Sequence, residues 1–415
     1  MSRIFIVVII LCLIDLYVFR TFQNQFSALP NYVKYSIYYV YWSIPLIIIF
    51  LTIYFFSKGF PSEIRSYKLI FFVTTLLVLF YLPKLFIIAF QLIEDLGKII
   101  AWLINKMSKP EGMIYLASKS VLRSFVIGRI GLLISIIPFL SVIYGVAFGR
   151  YNFDVNHINL SFENLPQAFD GLKIVQFSDF HTGSLDGHQD KFKKAFEIIN
   201  NQNPDILVFT GDMVNNYADE AVPWIAMISE LKAKYAKLSI LGNHDYGDYS
   251  EWSSEEAKKA NLDKLKDYHK KMGFKLLLNQ AFILKRDSQS IAILGVENWG
   301  EKPFPQYGQL NLALEEAKNI PFKILLSHDP THWQYQVKGK TDIALTLSGH
   351  THAMQLAINI GGFSWSPVSL KYPRWKGLYS ENGQYLYVNI GLGYIGFPGR
   401  VGANPEITVF ELKRK

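Results

Sequence analysis

Apolar runs dominate the first third of the chain. Residues 4–19, 37–56, 69–92 and 130–148 are nearly free of charge and approach or reach the ~20 residues a helix needs to cross a hydrocarbon core. They predict about four membrane-spanning helices. From residue 152 the pattern changes to short apolar runs separated by polar stretches of helical period. Strands are predicted at 172–177, 206–209, 238–241, 291–296, 323–326, 343–347, 385–390 and 407–412. Helices are predicted at 189–200, 221–234, 254–272 and 310–318. Strands outnumber helices, so two sheets packed face to face, with helices outside, are expected. The predicted organisation is a transmembrane region over 1–150 and an α/β domain over 151–415.

Composition sharpens the membrane reading. Half of the 415 residues are hydrophobic (50%) and only 18% are charged, too apolar for an ordinary soluble enzyme of this length. The first run is followed by no small-x-small cleavage pattern, so it reads as an uncleaved span and not a signal peptide. Residues 95–119 mix Lys with Ile, Trp and Leu, which predicts an amphipathic helix lying on the membrane surface. Pro45, Pro83 and Pro138 are expected to kink their spans. Asp15 and Lys84 interrupt apolar runs. A functional relay is one reading of them; the reading adopted is that both sit near an interface and snorkel.

Charge placement bears on orientation and partners. Lys98, Lys106, Lys109, Lys119, Arg123 and Arg129 gather between the third and fourth runs, so the positive-inside rule puts that segment in the cytoplasm. The domain after Arg150 is then extracytoplasmic in a multi-pass cell-membrane protein, although Lys58, Arg65 and Lys68 oppose this. The net charge of +8 is scattered through helices and span flanks, so no nucleic-acid partner is expected. Cys12 is the single cysteine, which excludes an intrachain disulfide and a zinc–thiolate site.

Metal-type residues recur just after predicted strands. Asp179 and His181, Asp212, Asn243 and His244, His328, and His350 and His352 each follow an apolar run, where open α/β sheets place ligands. Each motif alone is weak, since Gly-Asp or Asn-His-Asp commonly marks a turn. Together they supply two carboxylates, an amide oxygen and four or five imidazoles, a donor set suited to two divalent ions such as Mn, Fe or Zn better than to Ca. Gly211 and Gly349 are expected to let the backbone approach closely.

These residues resemble the signature of the calcineurin-like metallophosphoesterases: Asp179-x-His181, Gly211-Asp212, Gly242-Asn243-His244-Asp245, His328 and Gly349-His350-x-His352. The segment 387–393, Pro398-x-Arg400 and Asn404-Pro405-Glu406 resemble the membrane-associated YkuE-like bacterial branch of that family. Ala353 and Met354 depart from it where glycines are usual. The resemblance implies a four-layer αββα sandwich. It also implies one ion on Asp179, His181 and His352, a second on Asn243, His328 and His350, and Asp212 bridging them. Metal-hydroxide attack on a phosphoester or pyrophosphate is implied as the chemistry. His244 is left free of metal beside the phosphate as a catalytic proton carrier. Asp245 is expected to fix its tautomer by accepting the other ring N–H, and Asp329 to do the same for His328 or else to be a solvated turn residue.

Other residues carry weaker signals. Arg400, between Gly-rich turns, and His188, just after the first motif, are candidate substrate contacts. His269 lies in a charged run and reads as a solvated helix face; His157 and His332 lie outside the motifs. Trp365, Tyr372, Trp375 and Tyr379 read as core or membrane-contact aromatics before an apolar lip for substrate. The expected protein is a membrane-anchored, metal-dependent phosphoric ester hydrolase whose substrate is a phosphorylated small molecule or lipid, with a lipid-linked or cell-envelope compound as the sharper expectation. A catalytically silent scaffold retaining the fold is the alternative, and a transporter regulated by its C-terminal domain is a poorer third.

Overall fold

The computed structural model describes residues 2–57, 67–108 and 124–415. Its first part contains four long helices, α1 (Ser2–Gln25), α2 (Asn31–Ser57), α3 (Tyr67–Ser108) and α4 (Phe125–Ala147). Each contains a stretch long and apolar enough to cross a membrane. Pro45, Pro83 and Pro138 lie inside α2, α3 and α4 without ending them. The expected surface helix does not begin as a separate element: residues 95–108 continue α3, whose 42 residues run without a break. No Pro or Gly pair interrupts the sequence there, and Glu94 and Lys98 form an i,i+4 ion pair at 2.6 Å across the junction. Residues 109–119 lie outside the described residues.

Snorkelling of Asp15 and Lys84 is overturned. Asp15 is fully buried and Lys84 nearly so, at 0% and 8% exposure. The Lys84 ammonium pairs with Asp15 Oδ1, and the Tyr81 hydroxyl donates to Oδ2 at 2.7 Å. Tyr41 donates to the Asp15 carbonyl at 2.8 Å, and the ammonium stands 4.3 Å from the Tyr81 ring centroid. Apolar clusters flank the pair one helical turn away on either side, Leu11 with Ile48 and Tyr81, and Val18 with Tyr41 and Ile87. Facing inward, the two charges satisfy each other, which the hydrocarbon outside would not allow.

The chain divides into two units, one of α1, α2, α3 from Lys68 and α4 as far as Tyr144, the other of Tyr67 and Gly145–Lys415. The second unit contains two six-stranded sheets and a two-stranded hairpin of β10 (Ile358–Ile360) and β11 (Phe363–Trp365). One has the order β1 (Asp154–Phe162), β14 (Glu406–Arg414), β2 (Leu172–Phe177), β3 (Ile206–Phe209), β4 (Ala236–Ser239), β5 (Lys275–Leu276). The other has the order β12 (Gly377–Glu381), β13 (Gln384–Val388), β9 (Leu345–Ser348), β8 (Lys323–Leu326), β7 (Gln289–Gly295), β6 (Gln280–Arg286). β2 to β5 run parallel, as do β7, β8, β9 and β13. The inner strands β2, β3, β8 and β9 are buried on both faces, which is why they read as mostly apolar runs.

The sheets pack face to face through Ile174, Ile206 and Leu238 of the first and Ile293, Ile324 and Leu345 of the second. Helices close the outer faces. Leu310 and Ala313 of α8 (Leu310–Glu316) join Leu294, Leu325 and Leu386 over the second sheet. α5 (Gln189–Asn201) buries Phe192, Ala195, Phe196 and Ile199. α7 (Glu255–Lys271) brings His269 against Phe209 of the first sheet at 6.1 Å between ring centroids. The predicted helix 221–234 is a 3-10 turn over Ala218–Trp224 followed by the short α6 (Ile225–Ser229); Pro223 removes an N–H there. β1, β6 and β12 were not predicted, because edge strands alternate or are mostly polar.

His269 is thus no solvated residue. It is wholly buried, with Nδ1 3.0 Å from Ser239 Oγ, and burial pushes its imidazole down to about 4. His332 is likewise buried and pushed down to about 4, its ring stacked on Trp299 at 5.0 Å. Folded pKa values below the unfolded 6.5 favour the fold above that pH, and the advantage is lost as pH falls towards 4. Each shift corresponds to roughly 3 kcal/mol. The melting temperature of the purified chain is therefore expected to fall between pH 6.5 and 4, and His269→Asn to make that fall shallower. An unchanged slope would count against burial of the neutral ring.

Candidate metal centre

All five motif clusters leave the carboxyl ends of strands that are neighbours in their sheets. β2, β3 and β4 deliver Asp179 and His181, Asp212, and Asn243 and His244; β8 and β9 deliver His328, and His350 and His352. The turns are tight. Asp179, His181, Asp212, His350 and His352 all hold left-handed backbone, with φ of 51°, 53°, 61°, 77° and 50°. Non-glycine residues in this region cost of order 1–3 kcal/mol each and gather where function over-determines the backbone. A Cβ on Gly242 would fall on Asp212 Oδ1 and one on Gly349 on Asp179 Oδ2, so the loops close only with glycine at both.

The side chains converge as two groups sharing Asp212. In the first, His181 Nε2 is 3.0 Å from His352 Nε2, which is 3.2 Å from Asp179 Oδ1. One donor atom from each of Asp179, His181, Asp212 and His352 lies within 4.8 Å of the others, all buried. In the second, Asn243 Oδ1 is 2.8 Å from His350 Nδ1 and 3.1 Å from His328 Nε2. Asp212 Oδ2 is 3.5 Å from His181 Nε2 and 3.2 Å from His328 Nε2.

This arrangement fits divalent metal. Imidazole nitrogens face one another and face oxygens across 2.8–3.3 Å, so lone pairs point into a common buried space that only protons or cations can fill. The outer nitrogens are set for it: His328 Nδ1 lies 2.7 Å from the Thr210 carbonyl, and His350 Nε2 2.8 Å from the Tyr372 hydroxyl. Electrostatics point the same way. Burial opposes charge on Asp179 and Asp212, yet the imidazoles hold both carboxyls below their ordinary range. Burial also opposes charge on His328, but Asp212 above all lifts it to about 10. The carboxylates demand positive charge here, and bound divalent ions would supply it in place of that proton.

His244 belongs to neither group. Its backbone N–H donates to Asp212 Oδ1 at 2.9 Å, its ring Nδ1 lies 2.9 Å from the Asn215 carbonyl, and the ring stands edge-on to His181 at 5.0 Å. Burial lowers its pKa against the pull of Asp212.

Several expected contacts fall elsewhere. The Asp245 carboxylate does not meet the His244 ring; it accepts backbone N–H groups of Asp212, Met213, Val214 and Gly242 at 2.8–3.2 Å. A short side chain one residue on reaches the loop backbone more easily than the neighbouring imidazole. Burial and the Asp212 charge push its carboxyl up to about 7. Asp245→Asn is expected to lower stability by about 2–4 kcal/mol, because an amide can accept at only one end and leaves N–H groups unpaired. A melting temperature equal to wild type would refute this.

Asp329 accepts from Thr331 and lies 3.5 Å from His350 Nε2, not on His328, and it is buried, not solvated. Arg400 does not present its guanidinium to a substrate. It is 1% exposed, donates to the carbonyls of Ile390, Gly391, Gly393 and Ala403, and reaches His352 Nδ1 at 3.4 Å. Its role is to hold the 390–403 loop and one imidazole. The His188 ring stands against Tyr151, 6.0 Å between centroids, and among the described residues no hydrogen bond or ring contact joins it to the cluster. One contributor had no sequence signal of its own: Tyr249 receives the Asn243 amide at 2.8 Å and faces His244 at 4.5 Å. Tyr372, expected as a core or membrane-contact aromatic, instead sets its hydroxyl 2.8 Å from His350 Nε2.

Residues 172–354 match the family described as "Calcineurin-like phosphoesterase", and residues 1–150 match "Probable Calcineurin-like phosphoesterase, transmembrane domain". The chain belongs to the calcineurin-like phosphoesterase family, as a membrane protein with a buried metal-binding cluster. It is 34% identical over 258 residues to "Uncharacterized metallophosphoesterase YkuE" of Bacillus subtilis, a match covering 60% of this chain and 82% of that one. It is 29% identical over 287 residues to "Transmembrane protein with metallophosphoesterase domain" of Danio rerio, covering 67% of this chain and 62% of that protein. An "Uncharacterized metallophosphoesterase" of Aquifex aeolicus is 28% identical over 269 residues, 64% of this chain and 94% of the relative.

Proposed function

We propose that this protein is a membrane-anchored phosphoesterase using two divalent ions to hydrolyse a phosphoester or pyrophosphate bond in a lipid-linked or cell-envelope substrate. The carrying observation is Asp212 Oδ2, which stands between two converging donor sets at 3.2 and 3.5 Å from His328 and His181. Asp179, His181 and His352 would hold one ion and Asn243, His328 and His350 the other. When bound, the ions supply an activated water and neutralise phosphoryl charge. His244, with Nδ1 occupied by the Asn215 carbonyl, offers Nε2 to carry a proton to the leaving oxygen. The anchor suggests a substrate in or at the bilayer. The Lys and Arg bias of the segment between α3 and α4 supports an extracytoplasmic catalytic domain, which a reporter fused after Lys415 would test.

The purified chain should carry about two transition-metal ions and hydrolyse bis-p-nitrophenyl phosphate in the presence of Mn. Two bound ions without turnover on any phosphoester would favour the silent scaffold instead.

A further inference from the structure

The β10–β11 hairpin has two unlike faces. Ile358 pairs with Trp365 and Ile360 with Phe363, so these four side chains share one face, while Asn359 and Ser364 share the other. Gly361 and Gly362, at φ of 56° and 85°, make the tight turn between the strands. The polar face is fastened: Ser364 Oγ donates to Asn359 Oδ1 at 2.7 Å, and the Asn359 amide donates to the Gly402 carbonyl at 2.6 Å. Among the described residues nothing covers the apolar face. Ile360 is 71% exposed and Phe363 63%, with Ile358 and Trp365 exposed beside them. The 3-10 turn that follows, Pro367–Leu370, leaves Leu370 85% exposed, and the exposed Lys371 comes next. A two-stranded hairpin is marginal in water, and large apolar side chains gathered on one of its faces mark a binding surface.

The root of the hairpin shows what lies against it. The fourth membrane-spanning stretch runs from Phe125 to Tyr151, and its end, from Gly145 on, belongs to the same unit as the hairpin. The Arg400 N–H donates to the Gly145 carbonyl at 3.2 Å, and a Cβ on Gly145 would come within 2.6 Å of Val401 Cγ2, so glycine lets this loop close on the span. Val401 in turn donates to the Gln355 carbonyl and accepts from the N–H of Ala357, the residue before β10, both at 2.8 Å. Arg150 adds bonds to the Tyr394 hydroxyl and the Pro398 carbonyl at 3.1 and 3.2 Å. The hairpin is thus tied, through one short loop, to the end of a helix that crosses the membrane.

We propose that the apolar face of this hairpin inserts into the interfacial layer of the bilayer, as a membrane contact additional to the four spans. Ile360 and Phe363 at the tip reach deepest, Trp365 sits at the headgroup level that an indole ring prefers, and Lys371 meets lipid phosphates. Continuity with the span end favours lipid over a second copy of the chain as the cover, because a face rooted there meets bilayer before it meets protein. Ser366, the residue after β11, donates to the Ala353 carbonyl at 2.7 Å, so insertion also holds the loop that follows His352 beside the headgroups. The proposal stands apart from the hydrolase reading.

The test places one nitroxide label at a time on the full chain, in a Cys12→Ser background, reconstituted in vesicles of phosphatidylethanolamine and phosphatidylglycerol. In Phe363→Cys the ratio of oxygen to nickel-chelate accessibility should exceed that in Ser364→Cys by about fivefold or more, because oxygen collects in the bilayer and the chelate in water. Equal, water-like ratios at both positions overturn the proposal. Shielding of position 363 from both reagents means contact with protein, a second copy where the labels broaden one another's spectra, and overturns it too. Should either labelled chain fail to fold, Trp365→Phe gives an independent reading: the tryptophan emission quenched by lipids brominated in their upper acyl chains should fall. An unchanged quenched emission removes the proposal.

Discussion

Asp212→Ala is expected to reduce hydrolysis of bis-p-nitrophenyl phosphate by about a thousandfold or more. Asp212 Oδ2 is the one atom that both donor sets approach, and its Oδ1 holds the His244 backbone. Losing it removes the shared ligand and releases the proton carrier. Bound metal should fall below two ions per chain. The metal-free variant should also melt below metal-free wild type, because the Asp212 carboxylate and the His328 imidazole it lifts to about 10 pair with each other when no ion is bound, and the substitution leaves His328 without that partner. Turnover at the wild-type level in this variant would remove the assignment of the centre.

The second large effect lies in the helical unit. Asp15→Leu and Lys84→Met should each destabilise it by about 3–5 kcal/mol, because either leaves an uncompensated charge among apolar helices. The double variant should recover most of that loss, since it removes both charges and leaves side chains of similar volume. Unfolding of the purified chain by titrated denaturing detergent gives the four corners of the cycle. Additive losses in the double variant would mean that the two charges act independently, against the pairing of Lys84 with Asp15.

Much of the second unit was legible because parallel strands buried on both faces are mostly apolar runs. The runs at 172–177, 206–209 and 323–326 coincide with β2, β3 and β8. The cluster was legible for a related reason: its residues follow those strands at short fixed offsets. What stayed hidden was every choice of direction. Nothing in Asn243-His244-Asp245 tells whether the carboxylate turns to its neighbour's ring or to backbone N–H groups. Arg400 looked like an anion ligand until four carbonyls were seen around it. His269 sits among Lys and Asp in sequence, yet its helical position, like that of Leu265, turns inward, against Phe209 and Ser239. Asp15 and Lys84 are 69 residues apart, and no local pattern pairs them.

The order of strands in the first sheet bears on how the protein is made. β14 lies between β1, which it meets in parallel from Asp154↔Glu406 to Phe162↔Arg414, and β2, which it meets antiparallel. A ribosome making this chain therefore finishes every other strand of that sheet before the one that joins β1 to the rest. Until Glu406–Arg414 emerge, β1 and β2 both expose unpaired edges, the state in which nascent domains are prone to mispair or to recruit chaperones.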